Sequence, residues 1–216
     1  MRSSHLIVIK RNIFYLPDAD GNRLGETKTA DDHKPRTSVY TYPVTSNQLT
    51  SIAGGGDKHA FTYDAAGNTV SETGDVGKTF TYDARNRNSV IDLHGDRSGS
   101  VKYLYNALGE RVSKDHDRDG DNDKDDGPSK DFIYDEQSHL IAQGQDTTRR
   151  EYVYLNDLPI ALVDGKNILY IHTDQIGTPQ KMTNADQKVV WDRVAEPFGE
   201  AFSVTGPAIL KLRFPG

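Results

Sequence analysis

The stretch Phe61-Thr62-Tyr63-Asp64-Ala65-Ala66-Gly67-Asn68-Thr69-Val70 decides the fold. Its two aromatic residues stand two positions apart and therefore share one face of a β-strand, because side chains alternate with a period of two. Asp64 can open a turn by accepting backbone hydrogen bonds on its side chain, and Gly67 can adopt the positive φ that reverses the chain. Thr69 and Val70 then begin a returning strand, so the stretch predicts a β-hairpin.

The aromatic-x-Tyr pattern of this hairpin occurs six times in the chain. Consecutive copies are 19 to 23 residues apart, except for an interval of 29 residues between Tyr105 and Tyr134. Asn86 and Ser46 take the place of the turn glycine, and Asn106 takes the place of the turn aspartate. The spacing predicts an array of hairpins with an insertion in the long interval. The six copies are residues 40–42, 61–63, 80–82, 103–105, 132–134 and 152–154.

Length and composition also favour β-structure. The 216 residues suit one domain or one array of repeats, and only 35% of them are hydrophobic, which argues against a thick core. The 19 Gly, 11 Tyr and 7 Phe indicate aromatic strands separated by turns. One hairpin alone is marginally stable in water, so neighbouring hairpins must pair to bury their aromatic faces. We therefore expect an all-β fold in which stacked hairpins form a coiling antiparallel sheet.

The repeats divide the chain into three parts. Residues 1–39 show no aromatic pair in register and are expected to be irregular, with a degraded half-repeat at 18–24. Residues 40–165 carry the hairpins, with an Asp-rich loop inserted at 115–130. Residues 166–216 carry a different set of motifs. Among the repeated turns, the one at 155–159 departs most from the pattern. We interpret Gly54-Gly55-Gly56 as a flexible joint between the first part and the clear repeats. We expect Trp191 in the core.

Several classes of function are excluded or disfavoured. The chain has no Cys, which excludes thiol catalysis, thiolate metal sites and disulfides. The formal net charge is −6, and residues 115–126 carry −5 of it, so no basic face is left for nucleic acid. The apolar run at 6–9 is followed by Lys10 and is too short for a signal peptide or a membrane span.

The Asp-rich segment at 115–126 has the spacing of a calcium-binding loop. Acidic side chains occupy positions 1, 3 and 5, a glycine occupies position 6, and another acidic side chain occupies position 12. A hard cation that takes six to eight oxygen ligands would offset the repulsion among these aspartates. Position 12 is Asp rather than the longer Glu, and the open alternative is a solvated acidic loop. The predicted Ca²⁺ ligands are Asp115, Asp117, Asp119, Asp121, Asp123 and Asp126.

Five short motifs in the last part of the chain identify a family. Together with Tyr63-Asp64-Ala65-Ala66-Gly67-Asn68, they resemble the RHS and YD-repeat family over about residues 40 to 216. Gln175 stands where that family usually has His, and Ala195-Glu196 stands where it usually has Tyr-Asp. The motifs are His172-Thr173-Asp174, Gly177-Thr178-Pro179, Val189-Val190-Trp191, Pro197-Phe198-Gly199 and Arg213-Phe214-Pro215-Gly216.

The resemblance implies a role as a structural, non-enzymatic shell segment. YD repeats of this family wind into a hollow β-sheet shell that encloses a toxic polypeptide until it is delivered to another cell. The implied partners are other shell segments or the toxin polypeptide, and the implied location is outside the cell or at its surface. The family's self-cleavage motif and C-terminal toxin are absent from these 216 residues, so we expect a fragment of a longer shell.

Two other functions stay open at this point. The aromatic pairs could form sugar-stacking platforms of a glycan-binding module, although rings that recur with the repeat are better explained by packing between hairpins. The chain could also be an inactive remnant of a self-cleaving toxin precursor. Catalysis is disfavoured: His172, Asp174, His139 and Glu196 carry acid-base chemistry, but no nucleophile elbow, metalloprotease motif or phosphate loop accompanies them.

Overall fold

A computed structural model of the chain describes residues 11–30, 33–95, 98–117, 130–145, 149–195 and 201–212. All regular structure in these residues is β-strand, and none of them lies in a helix that could cross a membrane. The strands are β1 (Arg11–Pro17), β2 (Arg23–Ala30), β3 (His33–Thr41), β4 (Ser51–Gly54), β5 (Asp57–Tyr63), β6 (Thr69–Thr73), β7 (Gly77–Tyr82), β8 (Asn88–His94), β9 (Gly99–Tyr105), β10 (Arg111–Asp117), β11 (Lys130–Tyr134), β12 (Leu140–Gly144), β13 (Arg150–Leu155), β14 (Leu158–Asp164), β15 (Asn167–Thr173), β16 (Pro179–Thr183), β17 (Val189–Ala195) and β18 (Ala201–Thr205).

The strands belong to two compact units. The first unit contains β1 to β8 and the start of β9, up to Val101. The second unit contains the rest of β9, β10 up to His116, and β11 to β18. From β1 to β8 in the first unit, each strand pairs antiparallel with the next. The same holds from β10 to β18 in the second unit. The predicted all-β fold of stacked hairpins is confirmed.

The predicted alternation of faces is also confirmed. In the best copy, Phe61 and Tyr63 are half-buried and Thr62 between them is exposed. In a later copy, Tyr152 is buried, Tyr154 is half-buried and Val153 is exposed. The aromatic pairs therefore lie on the more protected face of each sheet, as a period of two requires.

In the described residues, seven turns share one hydrogen-bonding pattern over five residues, numbered here as turn positions 1 to 5. In the copy at 64–68 the Asp64 amide donates to the Asn68 carbonyl, at 3.0 Å, and the Gly67 amide donates to the Asp64 carbonyl, at 3.1 Å. In all seven copies the position 5 amide donates to the side-chain oxygen of position 1. Position 4 has a positive φ in every copy. The turns are 18–22, 64–68, 83–87, 106–110, 135–139, 174–178 and 184–188.

Three sequence-based expectations about the repeat need correction or extension. The described part of residues 1–39 is not irregular, because β1, β2 and most of β3 occupy it. The repeated turn continues beyond residue 165, at 174–178 and 184–188. Ser46 stands at the position of the turn glycine, and its amide donates to the Pro43 carbonyl at 3.3 Å. It does not adopt the backbone conformation of that glycine, because it is not among the described residues with a positive φ.

The three-glycine segment is not a joint. Gly55 and Gly56 are the tip of the hairpin between β4 and β5, in which Gly54 pairs with Asp57. All three glycines have positive φ. A Cβ on Gly54 would overlap the backbone carbonyl oxygen of Thr37, so this hairpin lies too close to β3 for any side chain at that position.

The largest core lies in the second unit. Strands β13 to β17 contribute five of its six buried residues, and Leu210, from the segment that follows β18, contributes the sixth. The Ala208 amide donates to the Val190 carbonyl at 3.0 Å, which fixes this segment against the sheet. We call residues 206–212 the C-terminal strap. The core residues are Tyr152, Leu162, Ile171, Met182, Trp191 and Leu210, and the expected place of Trp191 in the core is confirmed.

Candidate functional site

The aromatic pairs make side-chain contacts between consecutive hairpins, in addition to the pairing of their strands. The hydroxyl of the second aromatic residue donates to a backbone carbonyl of the preceding hairpin in four copies, and in three of them that carbonyl directly follows the turn. The four bonds are Tyr63 to Leu49 at 2.6 Å, Tyr82 to Thr69 at 2.8 Å, Tyr134 to Arg111 at 3.1 Å and Tyr154 to Leu140 at 3.2 Å. Tyr134 makes this bond across the long insertion, so the insertion leaves the contact between hairpins unchanged.

Burial keeps Tyr134 and Tyr154 in their hydrogen-bond-donating form. It raises the pKa of Tyr134, and it raises the pKa of Tyr154 to about 12, with a smaller contribution from the Asp135 charge. A neutral phenol both donates and packs, which suits a side chain wedged between strands. Rings held in this way have little free face for stacking on sugars.

Removal of one such hydroxyl should weaken the contact between hairpins. We expect Tyr134→Phe to lower the free energy of unfolding by about 0.5–1.5 kcal/mol, because the Arg111 carbonyl loses its donor while the ring stays in place. The measurement is urea denaturation followed by far-UV circular dichroism. Tyr170→Phe is the matched control, since Tyr170 is 46% exposed in the same unit. Equal losses in both variants would argue against a role for the hydroxyl.

Arginine side chains fill the space between hairpins in two copies. The Arg23 guanidinium lies over the rings of Tyr15 and Tyr40, at 4.9 and 5.1 Å from the ring centroids. The Arg111 guanidinium lies over the rings of Tyr103 and Phe132, at 5.4 and 4.5 Å. Each arginine directly follows a repeated turn, and the two rings belong to its own hairpin and to the next one. These cation–π contacts were missed in the sequence, where the signal is an arginine five positions after the first residue of a turn.

The turn aspartates have lowered pKa values. Hydrogen bonds hold the pKa of Asp18, Asp64 and Asp83 below the ordinary value of 3.8, chiefly the bond from the side chain at turn position 5, with further bonds from backbone amides. A lowered pKa stabilises the fold above the unfolded value, and this stabilisation is lost as the pH falls through the folded value.

We therefore expect the melting temperature to fall as the pH drops below about 4, because these carboxylates take up protons first in the unfolded chain, where their pKa is not lowered. Asparagine serves at position 1 in the turns at 106 and 184, so it can accept the same bonds without titrating. A variant in which Asp18, Asp64 and Asp83 are changed to Asn should show a smaller fall in melting temperature between about pH 5 and pH 2 than the unaltered chain does. The range begins about one unit above the pKa of these groups in the unfolded chain. An unchanged acid profile would contradict this account.

The residues considered for acid-base chemistry are engaged in separate contacts. Asp174 opens a repeated turn, where it accepts bonds from the Ile176 and Thr178 amides. Nε2 of His172 lies 2.9 Å from Oγ1 of Thr183 on the neighbouring strand. His139 occupies position 5 of the turn at 135–139, and Glu196 lies outside the described residues.

The predicted calcium ligands lie mostly outside the described residues. Asp115 is exposed near the end of β10, and Asp117 is the last residue of that strand. Asp119, Asp121, Asp123 and Asp126 are not described. Within the described ranges, no three acidic or histidine side chains converge in a way that could hold a metal ion. The calcium site therefore stays a prediction.

A cavity of about 170 Å³ lies at the turn edge of the second unit. Nδ1 of His139 is 2.9 Å from Oδ2 of Asp135, and its Nε2 is 3.3 Å from Oδ1 of Asp157. The imidazole stacks on the Tyr154 ring with centroids 4.7 Å apart. The cavity is bounded on its other sides by Gly177, Pro179 and Leu212 of the strap, among others.

Comparison with known proteins gives a match over most of the chain. A family model described as Teneurin YD-shell matches residues 18–215. The chain is 29% identical over 157 residues to the double-stranded DNA deaminase toxin A of Burkholderia cenocepacia, covering 61% of this chain and 11% of that protein. It is 26% identical over 193 residues to the tRNA3(Ser)-specific nuclease WapA of Bacillus spizizenii, covering 81% of this chain and 8% of that protein. The chain thus spans about a tenth of the length of these relatives.

Solved structures give a weaker likeness. Crystal structures of TcdB2-TccC3-Cdc42 and of TcdB2-TccC3 align at 10% identity with TM-scores of 0.35 and 0.29. The alignments cover 91% of this chain and 17% and 18% of those chains. At this level of similarity these structures support no inference about the chain, and the family match alone assigns it to a family.

Proposed function

The chain belongs to the Teneurin YD-shell family, and from that premise we propose that its stacked hairpins form a section of a shell wall that encloses a toxin polypeptide. The match also confirms the resemblance to the YD repeat drawn from the sequence, and it gives the chain a structural role. We further propose that the enclosed polypeptide is a toxin, that the chain itself is not an enzyme, and that it works outside the cell.

One observation carries the proposal: neighbouring hairpins are tied to each other by the same contacts copy after copy. The tyrosine bonds and the arginine between aromatic rings use the side chains of the protected face for packing. These side chains therefore hold neighbouring hairpins together. A wall needs this property, because each hairpin must hold the next one along the sheet.

The two curated relatives support a structural reading. Their names describe different activities, deamination of DNA and cleavage of tRNA, yet both share this segment with the chain. A segment common to proteins with two different activities is best explained by a need that both share. Housing a toxin polypeptide is such a need, and we extend it to this chain.

Limited proteolysis of the native protein tests the enclosure. A polypeptide held behind the wall should resist protease, and it should become sensitive when the wall is opened by Trp191→Ala, which empties the core of the second unit. Val194→Ala, on the exposed side of the same strand, is the control and should leave the polypeptide protected. Rapid cleavage of the polypeptide in the unaltered protein would contradict enclosure.

We also propose that the Asp-rich segment at 115–126 binds Ca²⁺. The support is the ligand spacing together with a charge of −5 in twelve residues. The expected dissociation constant is about 10⁻⁴–10⁻³ M, as in extracellular modules.

Calcium should raise the melting temperature of the chain, because a ligand that binds the folded state stabilises it. Asp119→Ala should abolish this rise, while Asp75→Ala, which removes an exposed acidic side chain elsewhere, should preserve it. Differential scanning calorimetry with Ca²⁺ or with a chelator makes the comparison. Coincident melting curves in the unaltered chain would remove the calcium site and leave the wall proposal untouched.

A further inference from the structure

Consecutive turns touch through their side chains along the edge of each unit. In the first unit, Nδ2 of Asn22 donates to Oδ1 of Asn47 at 3.0 Å, and Nδ2 of Asn68 donates to Oδ1 of Asn86 at 2.6 Å. Asn22 and Asn68 both occupy turn position 5. We call such a bond from position 5 to the next turn a rung.

The second unit has a rung of different chemistry. His139 occupies position 5 of its turn, and its Nε2 lies 3.3 Å from Oδ1 of Asp157 in the next turn. Its Nδ1 lies 2.9 Å from Oδ2 of Asp135, the residue that opens its own turn. The ring stacks on Tyr154, which leaves the side chain 19% exposed, whereas the Asp157 side chain is 91% exposed.

Both ring nitrogens of His139 therefore face carboxylate oxygens. A carboxylate only accepts hydrogen bonds, and a neutral imidazole has a single N–H, so the neutral ring can donate to one of the two partners only. The doubly protonated ring donates to both. The asparagine rungs have no such dependence, because an amide side chain does not titrate near neutral pH.

We propose that the contact of His139 with Asp135 and Asp157 is a proton-operated link, which ties two consecutive turns of the shell wall together through both carboxylates when the imidazole is charged and is weakened when the imidazole is neutral and donates to only one of them. The link lies between the hairpins β11–β12 and β13–β14. It follows from the geometry of these three side chains and does not depend on the proposal that the wall encloses a toxin.

The surroundings favour the charged ring. Among the described residues, the groups facing His139 are the carboxylates of Asp135 and Asp157 and the phenols of Tyr134 and Tyr154, and none of the described side chains that line the cavity beside it is cationic. The bond to Asp135 raises the pKa of His139 above 6.5, against the effect of desolvation, and Asp157 adds to the rise. The tyrosines stay neutral over the same pH range, because burial raises the pKa of both.

The direction of the effect follows from linkage. A histidine whose pKa is higher in the folded state contributes stability that is fully present below the unfolded value of 6.5. That contribution is lost as the pH rises through the folded value. The wall is thus tighter at this point in mildly acidic medium and looser in alkaline medium.

Titration of the full-length chain by nuclear magnetic resonance tests the link. We expect Asp157→Asn to shift the titration of the His139 imidazole to lower pH than in the unaltered chain, because the ring loses one of its two carboxylate partners. An unshifted titration in Asp157→Asn would overturn the proposal, because Asp157 is the only part of the link that belongs to the next turn.

Thermal melting at pH 5.5 and pH 8, about one unit or more on either side of an ordinary histidine pKa, gives a second test. His139→Asn copies the asparagine rungs, so it should fold and should lose the part of the pH dependence that the link supplies. His172→Asn is the matched control, since His172 contacts Thr183 and, within the described part of the chain, no carboxylate; it should keep the pH dependence of the unaltered chain. Identical pH profiles for His139→Asn and His172→Asn would overturn the proposal.

Discussion

Replacement of Trp191 with Ala should lower the free energy of unfolding of the second unit by about 3–5 kcal/mol, the usual loss when a large buried ring is removed. The side chain is 1% exposed and packs among Leu162, Met182 and Leu210. Since whole domains are stable by only about 5–15 kcal/mol, this loss removes a large fraction of the stability of the unit.

The measurement of the Trp191→Ala effect is urea denaturation followed by far-UV circular dichroism, because the variant loses the only tryptophan and with it the fluorescence signal. Val194→Ala removes a side chain that is 52% exposed on the same strand, so it should change the unfolding free energy by less than about 0.5 kcal/mol. If the two variants were equally stable, Trp191 would not be the centre of a packed core.

Replacement of Gly206 with Ala should detach the C-terminal strap from the sheet. Gly206 has a φ of 101°, and a Cβ there would overlap the Val190 carbonyl oxygen, which accepts the bond from Ala208. The conformational strain alone costs about 1–3 kcal/mol. Movement of the strap would also uncover Leu210, which is fully buried beside Trp191.

Hydrogen–deuterium exchange shows whether the strap has moved: in Gly206→Ala the Ala208 amide should exchange much faster while the strands of the first unit keep their protection. Gly165→Ala is the control. Gly165 also has a positive φ, of 61°, but no atom lies within 4 Å of a Cβ built there. It should therefore show only the conformational cost, of about 1–2 kcal/mol. Unchanged exchange at Ala208 would contradict the role given to the strap.

The hairpins could be predicted because their signals are local. The bonds of the turn at 64–68 join residues four or fewer positions apart, so aspartate, glycine and the aromatic pair are visible together in one stretch of sequence. Asn86 adopts the positive φ expected of a glycine substitute. Ser46 does not, because a proline opens that turn and supplies neither an amide donor nor a side-chain acceptor.

The contacts between hairpins could not be predicted in the same way. Tyr134 reaches the Arg111 carbonyl 23 residues earlier, and Leu210 reaches a core built from strands that begin at residue 150. The three-glycine segment was misinterpreted for the same reason. Its need for glycine comes from the neighbouring β3 backbone, and composition alone does not distinguish a tight hairpin from a flexible joint.

The rung at His139 could be predicted from the sequence only in part. Its place at turn position 5 follows from the repeat, but its partner Asp157 belongs to the turn that departs most from the pattern. That turn is a two-residue connection between Leu155 and Leu158, with Asn156 at a φ of 53°. A contact between a regular turn and an irregular one has no periodic signal in the sequence.

The central claim is that consecutive hairpins lie side by side in a fixed register, and an engineered disulfide tests it most directly. Ser71 on β6 pairs with Thr79 on β7, across the junction between two hairpins. The chain has no Cys, so Ser71→Cys combined with Thr79→Cys gives a single possible intramolecular bridge. We predict rapid bridge formation under mild oxidation. The pair Ser71→Cys with Lys78→Cys, one residue out of register on the opposite face, should form little. Equal bridge formation in the two pairs, or none in the first, would contradict the stacked sheet.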